Sequence, residues 1–176
     1  MTPNSFPSHV TLLAMKPKVY VETSVVSYLT AWLSRDAVVA GHQQVTREWW
    51  RSCEDRFEVL ASELVVQEAS AGDQVAARER LEVLDRLTLL EITAEARDLA
   101  EQLVAFAAIP RKAAEDALHL AIAATNGVEF LATWNCRHLA NATMREQIET
   151  VCRVAGYRPP LICTPEELLE VDSDDE

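Results

Sequence analysis

Five short apolar runs separated by stretches of helical periodicity constrain this chain more than any other feature. They are KVYV at 18–21, FEVLAS at 57–62, LTLLEI at 87–92, EFLATW at 129–134 and LICT at 161–164. Each is strand-sized, rich in β-branched or aromatic residues, and bounded by polar or turn residues. A helix between two such strands returns the chain to the same edge, so the strands run parallel and the sheet is covered on both faces. The expected fold is a three-layer α/β/α sandwich around a central, mainly parallel sheet.

The intervening segments carry their own signals. Residues 24–33 read as a helix following the polar Glu22-Thr23-Ser24, and 34–56 as a second with Ser34 or Asp36 as cap. SELVVQEASA at 62–71 reads as a short helix and DQVAARERLEVLDRL at 73–87 as an amphipathic one with acids and bases interleaved on its wet face. Helices at 94–109, before Pro110, at 112–126, with Gly127 as C-terminal cap, and at 144–156 complete the set. PEELLE, from Pro165, starts a last one.

Composition matters mainly through charge. The chain has 176 residues, is 49% apolar, and has four glycines, which suits one domain with a sizeable core. A formal charge of −12 argues against a basic nucleic-acid-binding face. Residues 166–176 alone hold seven acids and no base, leaving 21 acids against 16 bases in the rest, so the body is much closer to balance. The reading is therefore a flexible extension at 1–17, a domain at 18–165 and a solvated acidic tail at 166–176. Within that extension Met15 stands directly before KPKVYVETS, so translation from either Met1 or Met15 fits the sequence. No run of about 18 apolar residues exists and no basic-then-apolar leader pattern opens the chain, which points to a cytoplasmic protein. Cys53, Cys136, Cys152 and Cys163 show no CxxC spacing and read as small buried hydrophobes; a zinc set of Cys136, His138, Cys152 and Cys163 fits no structural-site template.

In a parallel sheet, ligands bind beyond the carboxyl ends of the strands, near the point where strand order reverses. Glu22, Thr23 and Ser24 follow the first strand, and Asn135 follows the fourth after Thr133 and Trp134. Glu68 on one helix and Asp116 at the start of another can reach the same crevice. Three carboxylates and an amide oxygen make a hard-oxygen set suited to Mg²⁺ or Mn²⁺. Each residue also has a structural reading: Glu22 and Asp116 as first-turn acids favoured by the helix dipole, Glu68 on a solvated face, Asn135 as a turn former. Glu115 reads as a solvated neighbour, His119 as a satisfied core histidine, and Trp49, Trp50 and Trp134 as packing residues.

VYVETSVVSYL, LVVQEAS, EDALHLAIAATNGVEFLATWN and CRHLAN resemble the PIN-domain proteins, of the kind represented by VapC toxins, in order from residue 18 to about 165. The resemblance implies a parallel sheet between helices and an acidic pocket that binds Mg²⁺ or Mn²⁺ to cleave RNA. It implies catalytic roles for Glu22, Glu68, Asp116 and Asn135, with the ion on Glu22, Asp116 and Asn135 and the attacking water on Glu68. Ser24 and Thr133 would orient these groups, and Arg111, Lys112 and Arg137 are candidates to steer the RNA backbone, or else solvated helix-end bases. It further implies an endoribonuclease that is the toxin of a toxin–antitoxin pair, with a small antitoxin partner and a homodimer to be sought around Trp49 and Trp50. Two positions depart from the commonest pattern, Glu22 and Asn135 standing where Asp is frequent. The longer side chain shifts a ligand, and the amide removes a charge. Those departures keep a second expectation open: a catalytically weak or silent PIN-like module that binds RNA or protein.

Overall fold

The computed structural model describes residues 15–169; the expectations for 1–14 and 170–176 lie outside the described residues. Strands β1 (Lys18–Val21), β2 (Glu58–Ser62), β3 (Thr88–Leu90), β4 (Phe130–Ala132) and β5 (Leu161–Cys163) form one sheet in the order β3-β2-β1-β4-β5. Every pairing is parallel. Helices α1 (Thr23–Thr30), α2 (Ala37–Arg56), α3 (Glu63–Ala69), α4 (Gln74–Leu84), α5 (Ala94–Ala105), α6 (Ala114–Thr125) and α7 (Ala142–Val154) cover it. Short 3-10 turns lie at Arg111–Ala113 and Glu166–Leu168. The fold is the expected α/β/α sandwich.

Burial follows strand position. Central β1 has Val19, Tyr20 and Val21 wholly inaccessible, because helices lie on both faces, whereas edge strand β3 has two of its three residues exposed. Trp49, Leu99, Leu103, Leu120, Ile122 and Ile148 on the helices pack against the sheet, where Leu131 of β4 is buried. Trp49 is fully buried and Trp50 half-buried, their rings meeting edge to face at 5.9 Å between centroids. Trp134 is buried as well, stacked on His42 with ring centroids 4.0 Å apart and its indole N–H donated to Thr46. All three tryptophans pack, as their sequence setting suggests.

Helix ends depart from the periodicity for identifiable reasons. The first helix stops at Thr30 rather than 33 because α2 side chains take its carbonyls: Arg47 donates to Leu29 and Ala31, and Gln43 donates to the Trp32 carbonyl. Asp36, not Ser34, caps α2 by accepting from the Val38 and Val39 amides. The helix expected to run to Pro110 ends at Ala105, with Ala107 in the left-handed region at φ 55°. Gly127, at φ 62°, closes α6 in the position glycine favours. The last expected helix is the 3-10 turn at Glu166–Leu168; Leu168 is buried and Arg56 donates to its carbonyl, so the chain stays packed through that turn.

Cys53, Cys152 and Cys163 are buried, and burial first of all pushes their thiols up to about 12, 11 and 12. Cys136 is instead exposed, because it lies in the rim loop after β4 rather than on a packed element. No helix among the described residues is long and apolar enough to cross a membrane.

Candidate functional site

Strand order reverses between β1 and β4, and the β1–β4 register pairs Val21 with Ala132. The next residues, Glu22 and Thr133, therefore emerge side by side at the carboxyl edge, with the Glu22 amide donating to the Ala132 carbonyl at 3.1 Å. This is the crevice where parallel sheets bind ligands. Glu22 is only 7% exposed. Its Oε2 accepts from the Ser24 hydroxyl and from Thr133 Oγ1 at 2.8 Å. Ser24 in turn accepts the Trp134 amide at 2.9 Å, and Thr133 accepts the Asn135 amide at 2.9 Å, so both hydroxyls have their direction fixed.

Glu68 reaches the same place from α3. Its Oε2 accepts from the Thr23 hydroxyl and contacts His119 Nε2 at 3.0 Å. Burial acts to raise the Glu68 carboxyl, but the His119 hydrogen bond, the charge of that ring when protonated, and the Thr23 hydroxyl together hold it below the ordinary value. His119, 1% exposed on α6, makes its second bond from Nδ1 to the Tyr20 hydroxyl at 2.7 Å, and Tyr20 touches Ser62 Oγ at 2.7 Å. Burial drives the Tyr20 phenol upward, the Ser62 bond opposes this, and the charges of Glu22 and Glu68 reinforce it.

Glu22, Glu68 and His119 each bring one ligand-type atom to within 4.8 Å of the others. Both glutamates have their bonds on Oε2; neither Oε1 has a hydrogen-bond partner among the described residues. No lysine or arginine among the described residues forms an ion pair with either acid. Two carboxylates at about 4–5 Å repel by roughly 3–4 kcal/mol at an effective dielectric near 20. The donor set therefore fits a divalent cation: hard oxygens, two acids without a lysine or arginine partner among the described residues, and one unengaged oxygen on each acid.

Asp116 forms a neighbouring group with the rim loop. Asn135 Nδ2 donates to Asp116 Oδ1 at 2.9 Å, and His138 Nδ1 meets Asp116 Oδ2 at 2.8 Å. The His138 backbone N–H meets Asn135 Oδ1 at 3.2 Å. A backbone N–H can only donate, so the side chain of Asn135 turns its oxygen to His138 and its NH₂ to Asp116. The oxygen expected to ligate an ion is thus already engaged, and Asn135 links Asp116 to the Thr133–Glu22 pair through its own amide.

The structure brings together Glu22, Glu68, Ser24 and Thr133 directly, and joins Asp116 to them through Asn135. Arg111 and Lys112 line an open cleft of about 370 Å³ with Asp116 and His138. Arg137 is exposed in the rim loop but does not line that cleft, and Glu115 is exposed. Two histidines were not assigned to the site from sequence. His119 is a satisfied core histidine as read, yet one of its partners is a site acid. The signal for it was its place three residues after Asp116 on the same helix face, and for His138 its place three residues after Asn135.

No family model matches this sequence, and no curated protein does. Among solved structures, the crystal structure of VapC20 from Mycobacterium tuberculosis, described as a sarcin-ricin loop cleaving toxin, superposes with a TM-score of 0.53 at 16% identity over 71% of this chain and 95% of that one. A chain of VapBC2 from Rickettsia felis, solved bound to a DNA fragment from the promoter of that pair, superposes with a TM-score of 0.54 at 13% identity over 83% of this chain and 97% of that one. The shared architecture is PIN-like.

Proposed function

We propose that the chain is a divalent-metal-dependent endoribonuclease of the PIN type and the toxin of a toxin–antitoxin pair. The observation that carries this reading is the Glu22–Glu68 pair at the strand-order reversal, two acids with ligand atoms within 4.8 Å and no lysine or arginine ion-pair partner among the described residues. Glu22 and Glu68 would hold Mg²⁺ or Mn²⁺ through their unengaged oxygens, with Asp116 completing the acidic rim and Asn135 positioning it. When bound, the ion supplies charge neutralisation at the scissile phosphate and activation of water at neutral pH.

The protein's own contribution is orientation. Ser24 and Thr133 lock Glu22, and Thr23 and His119 lock Glu68, so neither acid reorganises as charge develops. Glu68, held ionised by the His119 and Thr23 bonds, would share the ion with Glu22 and orient the attacking water beside it. Arg111 and Lys112, in the cleft beside Asp116, would receive the phosphates flanking the scissile bond. The solved structures that share this fold include a sarcin-ricin loop cleaving toxin and VapBC2 bound to a fragment of its promoter, which supports RNA as substrate and a small antitoxin as partner.

A test is cleavage of RNA by the purified chain and two variants in Mn²⁺. Asp116→Asn and Glu22→Gln should each lower the rate by at least about a hundredfold, the upper range for removing a group that holds or orients an ion. Wild-type rates in Asp116→Asn would refute the assignment. One observation favours a second reading, a silent binding module: both oxygens of Asp116 are engaged by Asn135 and His138. In that case Mn²⁺ produces no rise in melting temperature.

A further inference from the structure

Among the described residues the one group with ligand-type atoms converging this closely contains a histidine, which makes His119 a nominal ligand. Its hydrogen-bond network gives it a different role. Ser62 Oγ is fully buried and caps α3 by accepting the Val65 amide at 3.3 Å. Its hydroxyl proton then has only the Tyr20 oxygen to go to, 2.7 Å away. Tyr20, donating in turn, points its proton at His119 Nδ1 at 2.7 Å. The opposite direction, Nδ1–H to Tyr20 and Tyr20 to Ser62, would strand the Ser62 proton in a site with no accessible surface, at a cost of about 1–3 kcal/mol. It would also allow a bare Nε2 lone pair to face a carboxylate oxygen at 3.0 Å.

We infer that the buried relay Ser62–Tyr20–His119 fixes the proton of His119 on Nε2, so that this residue is a hydrogen-bond donor positioning Glu68 and not a ligand of the ion. The role in catalysis rests on the function proposed above; the tautomer does not. With Nε2–H committed to Glu68 Oε2, together with the Thr23 hydroxyl, the glutamate presents its other oxygen to the crevice in one orientation. The relay begins at the cap of α3, the helix that carries Glu68, and runs through β1, which delivers Glu22. Both acids are thereby referenced to the same two buried elements. The sequence consequence is a Tyr at position 20 and a His at 119 serving one hydrogen bond across three elements.

The test uses the full chain labelled with ¹⁵N-histidine, with His119 resonances assigned by their loss in His119→Gln. Without added metal, Nδ1 should show the shift of an unprotonated nitrogen and Nε2 that of a protonated one, and both should keep those shifts at saturating Mg²⁺. The reverse tautomer, or an Nε2 that loses its proton when Mg²⁺ is added, overturns the inference. A second arm measures Mn²⁺ affinity by calorimetry and RNA cleavage for His119→Gln, which keeps an N–H donor, His119→Leu, which does not, and Tyr20→Phe, which breaks the relay one step away. Mn²⁺ affinity within about twofold of wild type in His119→Gln, with kcat lowered about tenfold there and in Tyr20→Phe, about a hundredfold in His119→Leu, and KM little changed, supports a positioning role. A tenfold or greater loss of Mn²⁺ affinity in His119→Gln makes His119 a ligand and refutes it. If wild type neither binds Mn²⁺ nor cleaves RNA, the proposed function fails, while the metal-free tautomer still decides the donor assignment.

Discussion

Asn135 holds Asp116 through one amide proton and is itself oriented by the His138 backbone. Asn135→Asp converts that attraction into a carboxylate facing a carboxylate. Without metal the variant should melt lower than wild type, and Mn²⁺ should raise its melting temperature more than it raises that of wild type, because a cation relieves the added repulsion. An equal or smaller Mn²⁺ shift would count against a cation at this rim. Which side chains gather at the crevice was largely legible from sequence, since an acid or amide beyond each of two strand ends has few other places to point. Their hydrogen-bond partners were not. That Asn135 turns its oxygen away follows from the path of the loop to His138, and that His119 meets Glu68 follows from the packing of α6 on α3 and β1, neither of which periodicity encodes.

At the scale of elements, all five strands and the helices between them were legible, because strand length and helical spacing are local properties. Their ends were less so. Where α1 stops is decided by Gln43 and Arg47 reaching back from α2, a tertiary contact that overrides the apolar run through Trp32 and Leu33. The early end of α5 has a local cost, since Ala107 occupies φ 55° just beyond it. A left-handed residue with a Cβ costs about 1 kcal/mol or more relative to glycine. Ala107→Gly should therefore stabilise the protein by about 0.5–1 kcal/mol, read as a higher urea midpoint with an unchanged slope. A lower midpoint would show that the Cβ contributes packing that outweighs the backbone term.

For the whole molecule, the sheet order gathers the site: reversal between β1 and β4 puts Glu22 beside Thr133, and α3 and α6 deliver Glu68 and His119 over the same edge. Folding and site electrostatics are coupled there. Because the Glu68 carboxyl lies below its ordinary 4.5 when folded, the unfolded chain binds that proton first as pH falls. The stabilisation from the Glu68 contacts is thus fully present above about 4.5 and is lost as pH drops through the folded value. In metal-free protein, unfolding free energy should fall more steeply with decreasing pH below about 4.5 in wild type than in Glu68→Gln; parallel curves would mean that the His119 and Thr23 bonds do not favour the ionised form. The fold alone does not call for a cation in this crevice; the proposal of one rests on the pair of glutamates without a lysine or arginine partner among the described residues. The most direct measurement is the rate of RNA cleavage by the purified chain as Mn²⁺ is removed with EDTA and then restored. The account predicts a rate that falls to background in EDTA and returns, saturating, with added Mn²⁺; cleavage at the same rate in EDTA would contradict it.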